Sequence, residues 1–222
     1  ALKPNLVQTL EGQPVFLHGG PFANIAHGNS SVLATRLALK VADFVLTEGG
    51  FGADLGAEKF FDIVHGYSGL TPDCAVLVVS VRSLRMHGGV AKDDLQKPNP
   101  QAVEAGLSNL DHHLRLLKHF GLPCVVAINA FDSDSDEELA VIRRHCQKQG
   151  VPCAPVRVVQ EGGRGGQELA EVLLRTLEEE KPAFRPAYDW KLPVEEKLSI
   201  LAREVYGADG VDFTHEAESD LK

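Results

Sequence analysis

Short runs of β-branched residues alternate along this chain with longer amphipathic stretches, and that alternation leaves few folds open. The runs "PVFLHG" from Pro14, "DFVLTE" from Asp43, "CAVLVVSV" from Cys74, "CVVAIN" from Cys124 and "APVRVV" from Ala154 read as strands. Several are continuously apolar, as strands covered on both faces must be. Helical patterns lie between them over 30–41, 55–64, 101–120, 136–149, 167–180 and 194–206. This order predicts βαβ units, and so an α/β fold of parallel sheets flanked by helices. Asn29, Ser30 and Ser31 are N-cap types before the first helix, while Asp132, Asp134 and Asp136 place negative charge where the fourth begins.

A length of 222 residues suits one large α/β domain or parts of two. The breaker-rich stretch 88–100 is the best boundary. The stretch 181–193, with Tyr188, Trp190 and three prolines, reads as an ordered connector. A net charge of -9 excludes a nucleic-acid surface spread over the whole molecule. No apolar run approaches the ~20 residues that span a bilayer. Cys74, Cys124, Cys146 and Cys153 lack CxxC spacing, so they are expected to be reduced, packed thiols of a cytoplasmic protein. Neither end carries a recognisable signal, and both are expected to be cuts through a longer chain.

Parallel sheets bind ligands beyond the carboxyl ends of their strands. The run from Asp43 leads there into "GGFGADLG", where Gly49, Gly50 and Gly52 would allow positive φ and a nest of N–H groups for an anion, or simply a tight turn. No GxGxxG spacing is present there and no GxxxxGK[ST] occurs in the chain. "EGGRGG", with Arg164, has the same two readings. "DSDSD" from Asp132 starts like a calcium loop but has Glu137 for the sixth-position glycine and Arg143 for the twelfth-position glutamate, so a helix cap is expected and no metal set is assigned. His18 and His27 flank "GGPFANIA", and Asn24, Asn29 and Asn129 stand at strand ends, placed either to fix a ligand or to satisfy turns. No residue declares itself catalytic.

"GGPFANIAHGNSSVLATRLALKVADFVLTEGGFGADLGAEKFFDI", "SGLTPDCAVLVVSVRSLRMHGG", "GLPCVVAINAF" and "YDWKLPVEEKLSILAREVYGADGV" resemble, in order, the formate–tetrahydrofolate ligases. The resemblance implies an enzyme that phosphorylates formate with ATP and Mg and passes the formyl group from formyl phosphate to N10 of tetrahydrofolate. A monovalent cation is a further candidate cofactor, and the full-length protein is expected to be a homo-oligomer. The glycine loop matches the loop lining the nucleotide and formyl-phosphate region, so Gly49, Gly50, Phe51, Gly52 and Asp54, with Asn24 and His27, are expected there. Phe131 matches the family's pterin-stacking aromatic, with Asn129 beside it. The opposing Trp of the family falls at Val159.

Gly49 stands where the family usually has Ala, and Ser83 and Arg85 where it usually has Ala and Lys. The family's P-loop and its phosphate lysine match nothing here, so the expected architecture is P-loop NTPase-like without the P-loop segment. Residues 1–90 are expected to be part of the nucleotide-binding domain, 91–186 a second α/β lobe with the folate site, and 187–222 the start of a third region. Two readings stand: a ligase fragment inactive alone, or a noncatalytic folate-binding or interaction protein derived from the ligase.

Overall fold

A computed structural model describes residues 2–20 and 22–221. They divide into two compact units, 1–71 with 185–222, and 72–184. In the first unit β1 (Asn5–Gln8) pairs antiparallel with β2 (Pro14–Leu17), setting Leu6 opposite Phe16 and Val7 opposite Val15. The run from Pro14 is thus a hairpin strand and not a parallel one. So short a loop, closed by the Gln13 N–H on Thr9 Oγ1, joins only antiparallel neighbours.

Helix α1 (Val32–Ala38) begins at Ser31, whose Oγ accepts from the Ala34 N–H at 3.0 Å. The expected strand from Asp43 does not form. Phe44 and Leu46 are exposed, and the run has no ladder partner among the described residues. Strand preference expresses packing against a neighbour, and here none is supplied. A helical run over 53–68 follows, with π-type turns Ala53–Ala57 and Phe60–Val64 before α2 (His65–Ser68).

The second unit is built on the parallel sheet β3 (Ala75–Ser80), β4 (Cys124–Asn129) and β5 (Cys153–Val156), in the order β3-β4-β5. Ser80 begins α3 (Val81–His87) by accepting the Ser83 N–H on its Oγ, so the apolar run from Cys74 ends one residue earlier than its pattern suggests. Helices α4 (Pro100–His119) and α5 (Asp136–Gln149) bracket β4 in sequence. Beyond β5 lie α6 (Val158–Glu161) and α7 (Gln167–Glu179).

Val126 and Ile128 enter a core with Leu84, Val103, Leu110 and Ile142, while Val125 and Ala127, on the opposite face, are buried too. The central strand is therefore covered on both sides, as its unbroken apolar sequence requires. Gly88 and Gly106 let α3 and α4 meet backbone to backbone, since a Cβ on either would strike a carbonyl of the other helix. All four cysteines are free thiols, and Cys146 is wholly buried in the core. The stretch 88–100 lies within this unit, carrying the turn Lys92–Asp94.

The chain then returns to the first unit with α8 (Val194–Ile200) and α9 (His215–Asp220). The connector before α8 packs as expected. Tyr188 is buried, Trp190 lies against Gly66, and Lys197 Nζ stands 5.1 Å from the Trp190 ring.

Arg85 on α3 is fully buried and fixes the second unit's polar interior. Its Nε and Nη2 donate to Glu138 Oε1 and Oε2, each at 2.7 Å, its Nη1 to the Leu95 carbonyl at 2.7 Å, and its Nη2 also to Asp134 Oδ1 at 3.0 Å. Glu138 further accepts the Asn99 and Ser135 N–H groups and completes a capping box at the start of α5. Burial pushes the Glu138 carboxyl up, but Arg85 and these N–H donors outweigh it and hold the pKa down at about 2. The contribution is therefore complete above the ordinary carboxyl value of 4.5 and lost as pH falls toward 2. Urea unfolding of the second unit is expected to lose about 3 kcal/mol across that window. Glu138→Gln should remove this slope and cost about 3 kcal/mol at neutral pH, because it strands the guanidinium.

Candidate functional site

The register of the parallel sheet sets Ser80, Asn129 and Val156 side by side at the carboxyl edge of the second unit. Asn129 closes β4, and the next residue, Ala130, donates its N–H to the Val156 carbonyl at 3.0 Å. Phe131 follows, 36% exposed, with its N–H donated to Asp134 Oδ2 at 2.9 Å. After β5 the chain does not stay extended: Val159 sits on α6, and is 73% exposed. Gln160 Nε2 donates to Asp132 Oδ1 at 3.3 Å, tying α6 to the Phe131 turn. Asn129 and Phe131 thus lie at the carboxyl end of β4, and Val159 on the short helix that follows β5. The following glycines fold back, with the Arg157 N–H donating to the Gly165 carbonyl at 3.0 Å.

In the first unit the glycine loop is built differently from its sequence expectation. Gly49, Gly50 and Gly52 do not take positive φ; Phe51 does, at 63°, and among the described residues it is the only non-glycine with a positive φ. The glycines serve close approach instead. Gly50 donates its N–H to the Gly28 carbonyl at 3.0 Å, and a Cβ on Gly56 would collide with Gly50 backbone. Asn29 ties this loop to the 22–29 turn by donating Nδ2 to the Glu48 carbonyl at 2.7 Å, leaving its buried Oδ1 without a partner. Lys59 Nζ donates to the Ala23 and Ala26 carbonyls and so closes the turn that carries Asn24.

His27 lines a cleft of about 470 Å³ with His18, Gly19, Gly20 and Ser31, and His18 Nδ1 is hydrogen-bonded to Ser31 Oγ at 2.7 Å. Asp54 lies in the first turn of the helical run, and its carbonyl accepts from the Tyr206 hydroxyl at 2.9 Å. The larger cleft, about 710 Å³, lies at the start of α4 around Gly89, Lys97 and Asn99, and none of the expected site residues lines it.

Sequence reading missed the buried charges. Glu58 and Asp62, one helical turn apart, are 5% and 1% exposed. Their spacing with Phe61 and Val64 was the available signal. Burial pushes the Glu58 carboxyl up to about 8, with the Asp62 hydrogen bond and charge adding to the rise and Lys59 opposing it. Asp62 Oδ1 accepts the Ala187 N–H at 2.6 Å, and burial beside these two acids raises the Tyr188 hydroxyl as well. Among the described residues no group of three or more His, Cys, Asp or Glu could hold a metal ion, and no helix is long and apolar enough to cross a membrane.

A scan against models of known protein families matches residues 1–222 to the model described as formate–tetrahydrofolate ligase. The chain belongs to that family.

Two outcomes are expected from the first unit's geometry. Phe51→Gly should stabilise it by about 1 kcal/mol, read from the urea midpoint, because the left-handed backbone strains a side chain and not glycine. Glu58 is raised, so its contribution is complete below 4.5 and lost as pH rises through about 8. Glu58→Gln should therefore raise stability at about pH 7 by roughly 3 kcal/mol and flatten that decline.

Proposed function

We propose that this member of the formate–tetrahydrofolate ligase family supplies the folate-binding part of 10-formyltetrahydrofolate synthesis. The observation that carries the reading is the carboxyl edge of β4 and β5, where the exposed Phe131 stands on a turn and Val159 on α6, the two tied together by Gln160 and Asp132. Phe131 stacks on one face of the pterin, Val159 covers the other, and Asn129 meets its polar rim. A stacked ring is worth on the order of 1–3 kcal/mol, so Val in place of the family's Trp weakens binding by about one to two decades without abolishing it.

The first unit provides the nucleotide and formyl-phosphate side through Gly49, Gly50, Phe51, Gly52, Asp54, Asn24 and His27. The strained Phe51 backbone and the unpartnered Asn29 Oδ1 support a functional role for this loop. In the reaction N10 attacks the formyl carbon, the carbon–oxygen bond to phosphate breaks, phosphate leaves and N10 gives up its proton.

The activation of formate by ATP is another matter. The 222 residues contain no GxxxxGK[ST], and among the described residues no group of three or more His, Cys, Asp or Glu could hold a metal ion. No step through the metal is assigned to them, and the phosphate machinery of a P-loop NTPase-like architecture is supplied by residues outside these 222.

Most of the large exposed apolar side chains, among them Leu6, Leu17, Phe44 and Leu46, belong to the first unit. As functional assignments, 1–90 derive from the nucleotide-binding domain, 91–186 carry the folate site and 187–222 begin a third region. By backbone packing, β3 and α3 share the second unit with the folate edge.

The exposed Val159 favours a second reading, a noncatalytic folate-binding protein. Formation of 10-formyltetrahydrofolate from formate, MgATP and tetrahydrofolate decides between them when this chain is assayed beside the product of its complete reading frame. Activity only in a longer product is the expected result. Turnover by the 222 residues alone would overturn the need for an external phosphate site, and binding without turnover in either product would establish the second reading.

A further inference from the structure

The acidic run 132–136 has more to do than begin a helix. Ser135 is the N-cap of α5 and Asp136 its first residue, so Asp132 and Asp134 lie outside the helix and perform none of its capping. Each instead reaches a loop at the carboxyl edge of the sheet. Asp134 has two occupied oxygens: Oδ2 accepts the Phe131 N–H at 2.9 Å, and Oδ1 accepts from Arg85 Nη2 at 3.0 Å. Its side chain is 1% exposed, and Arg85 is in turn clamped by both oxygens of Glu138 at 2.7 Å. A continuous chain of charge-assisted hydrogen bonds therefore runs from the buried core to the backbone of an exposed aromatic residue. Asp132 makes the second connection, accepting from Gln160 Nε2 at 3.3 Å, one residue beyond Val159.

We propose that the turn 132–136 is the brace of the pterin slot, with Asp134 and Gln160 as positioning residues that fix the Phe131 and Val159 walls relative to each other. The inference rests on the reading of Phe131 as the stacking wall. Phe131 follows the last residue of β4 by two positions and lies in a turn, where an unbraced ring would have to be ordered each time a ligand enters. The brace removes that cost in advance, which matters most where one wall is a small aliphatic side chain and a single ring supplies the stacking. Neither Asp134 nor Gln160 needs to touch the ligand to act in this way.

The test is calorimetric titration of tetrahydrofolate, under anaerobic conditions, into this chain and its Phe131→Ala, Asp134→Asn and Gln160→Ala variants. The double variants joining each brace change to Phe131→Ala complete the set. Asn matches the shape of Asp but has one oxygen, so it keeps one of the two Asp134 contacts and loses the other. Gln160 is on the surface, so Gln160→Ala tests the brace even where Asp134→Asn fails to fold.

Phe131→Ala is expected to weaken binding about 10-fold, Asp134→Asn about 5-fold and Gln160→Ala about 3-fold. Each double variant should bind within about 2-fold of Phe131→Ala alone, the coupling expected of residues that act through a common partner. A purely structural role would change the melting temperature and add its loss to that of Phe131→Ala. Additive losses, or brace variants that bind like the parent while Phe131→Ala does not, would overturn the brace and leave the stacking reading standing. Unchanged binding by Phe131→Ala, or no binding by the parent chain, would overturn the stacking reading and the brace with it.

Discussion

A guanidinium with no access to water holds the second unit together. Arg85 meets Glu138, Asp134 and two backbone carbonyls, and through them joins α3, the 95–99 segment, the start of α5 and the turn carrying Phe131. Isolated buried ions are costly, so such a cluster persists only when nearly every donor and acceptor is matched. That demand explains the local sequence. Asn99 and Ser135 cap helices and also donate backbone N–H groups to Glu138, so two helix starts and one ion pair are satisfied by the same few residues. Through Asp134 the same network reaches the backbone N–H of Phe131 at the end of β4.

The first unit follows a different logic. It has few fully buried apolar residues, and its order comes from backbone contacts: Gly50 against Gly28, Asn29 against Glu48, Lys59 across the 22–26 turn. Its buried acids are Glu58 and Asp62, and the Asp62 carboxylate accepts the Ala187 backbone N–H. The two units consequently respond to pH in opposite senses. One depends on a carboxyl held ionised, the other on a carboxyl held protonated.

The parallel sheet was legible because β4 is covered on both faces and reads as an unbroken apolar run, and α5 because its cap, charge and period agree. The long amphipathic α4 was equally plain. What could not be read were the features decided by partners. The run at 43–48 has a strand's composition yet lacks a neighbour, and Pro14–Leu17 pairs antiparallel because of a turn rather than its own pattern. For the candidate site, glycine and asparagine placement points to the loop positions, and the likeness to a ligase points to Phe131 as a proposal. The positive φ at Phe51 was invisible, since three adjacent glycines offered a cheaper location for it. Buried Arg85 was noticed only as a departure from the family's usual Lys, and its charge concealed its burial.

That departure has a physical reading. An ammonium offers three donors from one point, whereas Arg85 uses Nε, Nη1 and Nη2 in three directions to reach both oxygens of Glu138, the Leu95 carbonyl and Asp134. Lysine at this position would satisfy one carboxylate well and leave the other short of a partner. The fork-shaped side chain therefore extends the core's polar network as far as Asp134, and Asp134 is the residue that holds the Phe131 backbone. On the proposed reading of Phe131 and Val159 as the two walls of a pterin slot, firmer control of the aromatic wall would offset the small aliphatic one. The two departures from the family pattern, Arg85 in the core and Val159 at the surface, are thereby connected through a single turn of acidic residues.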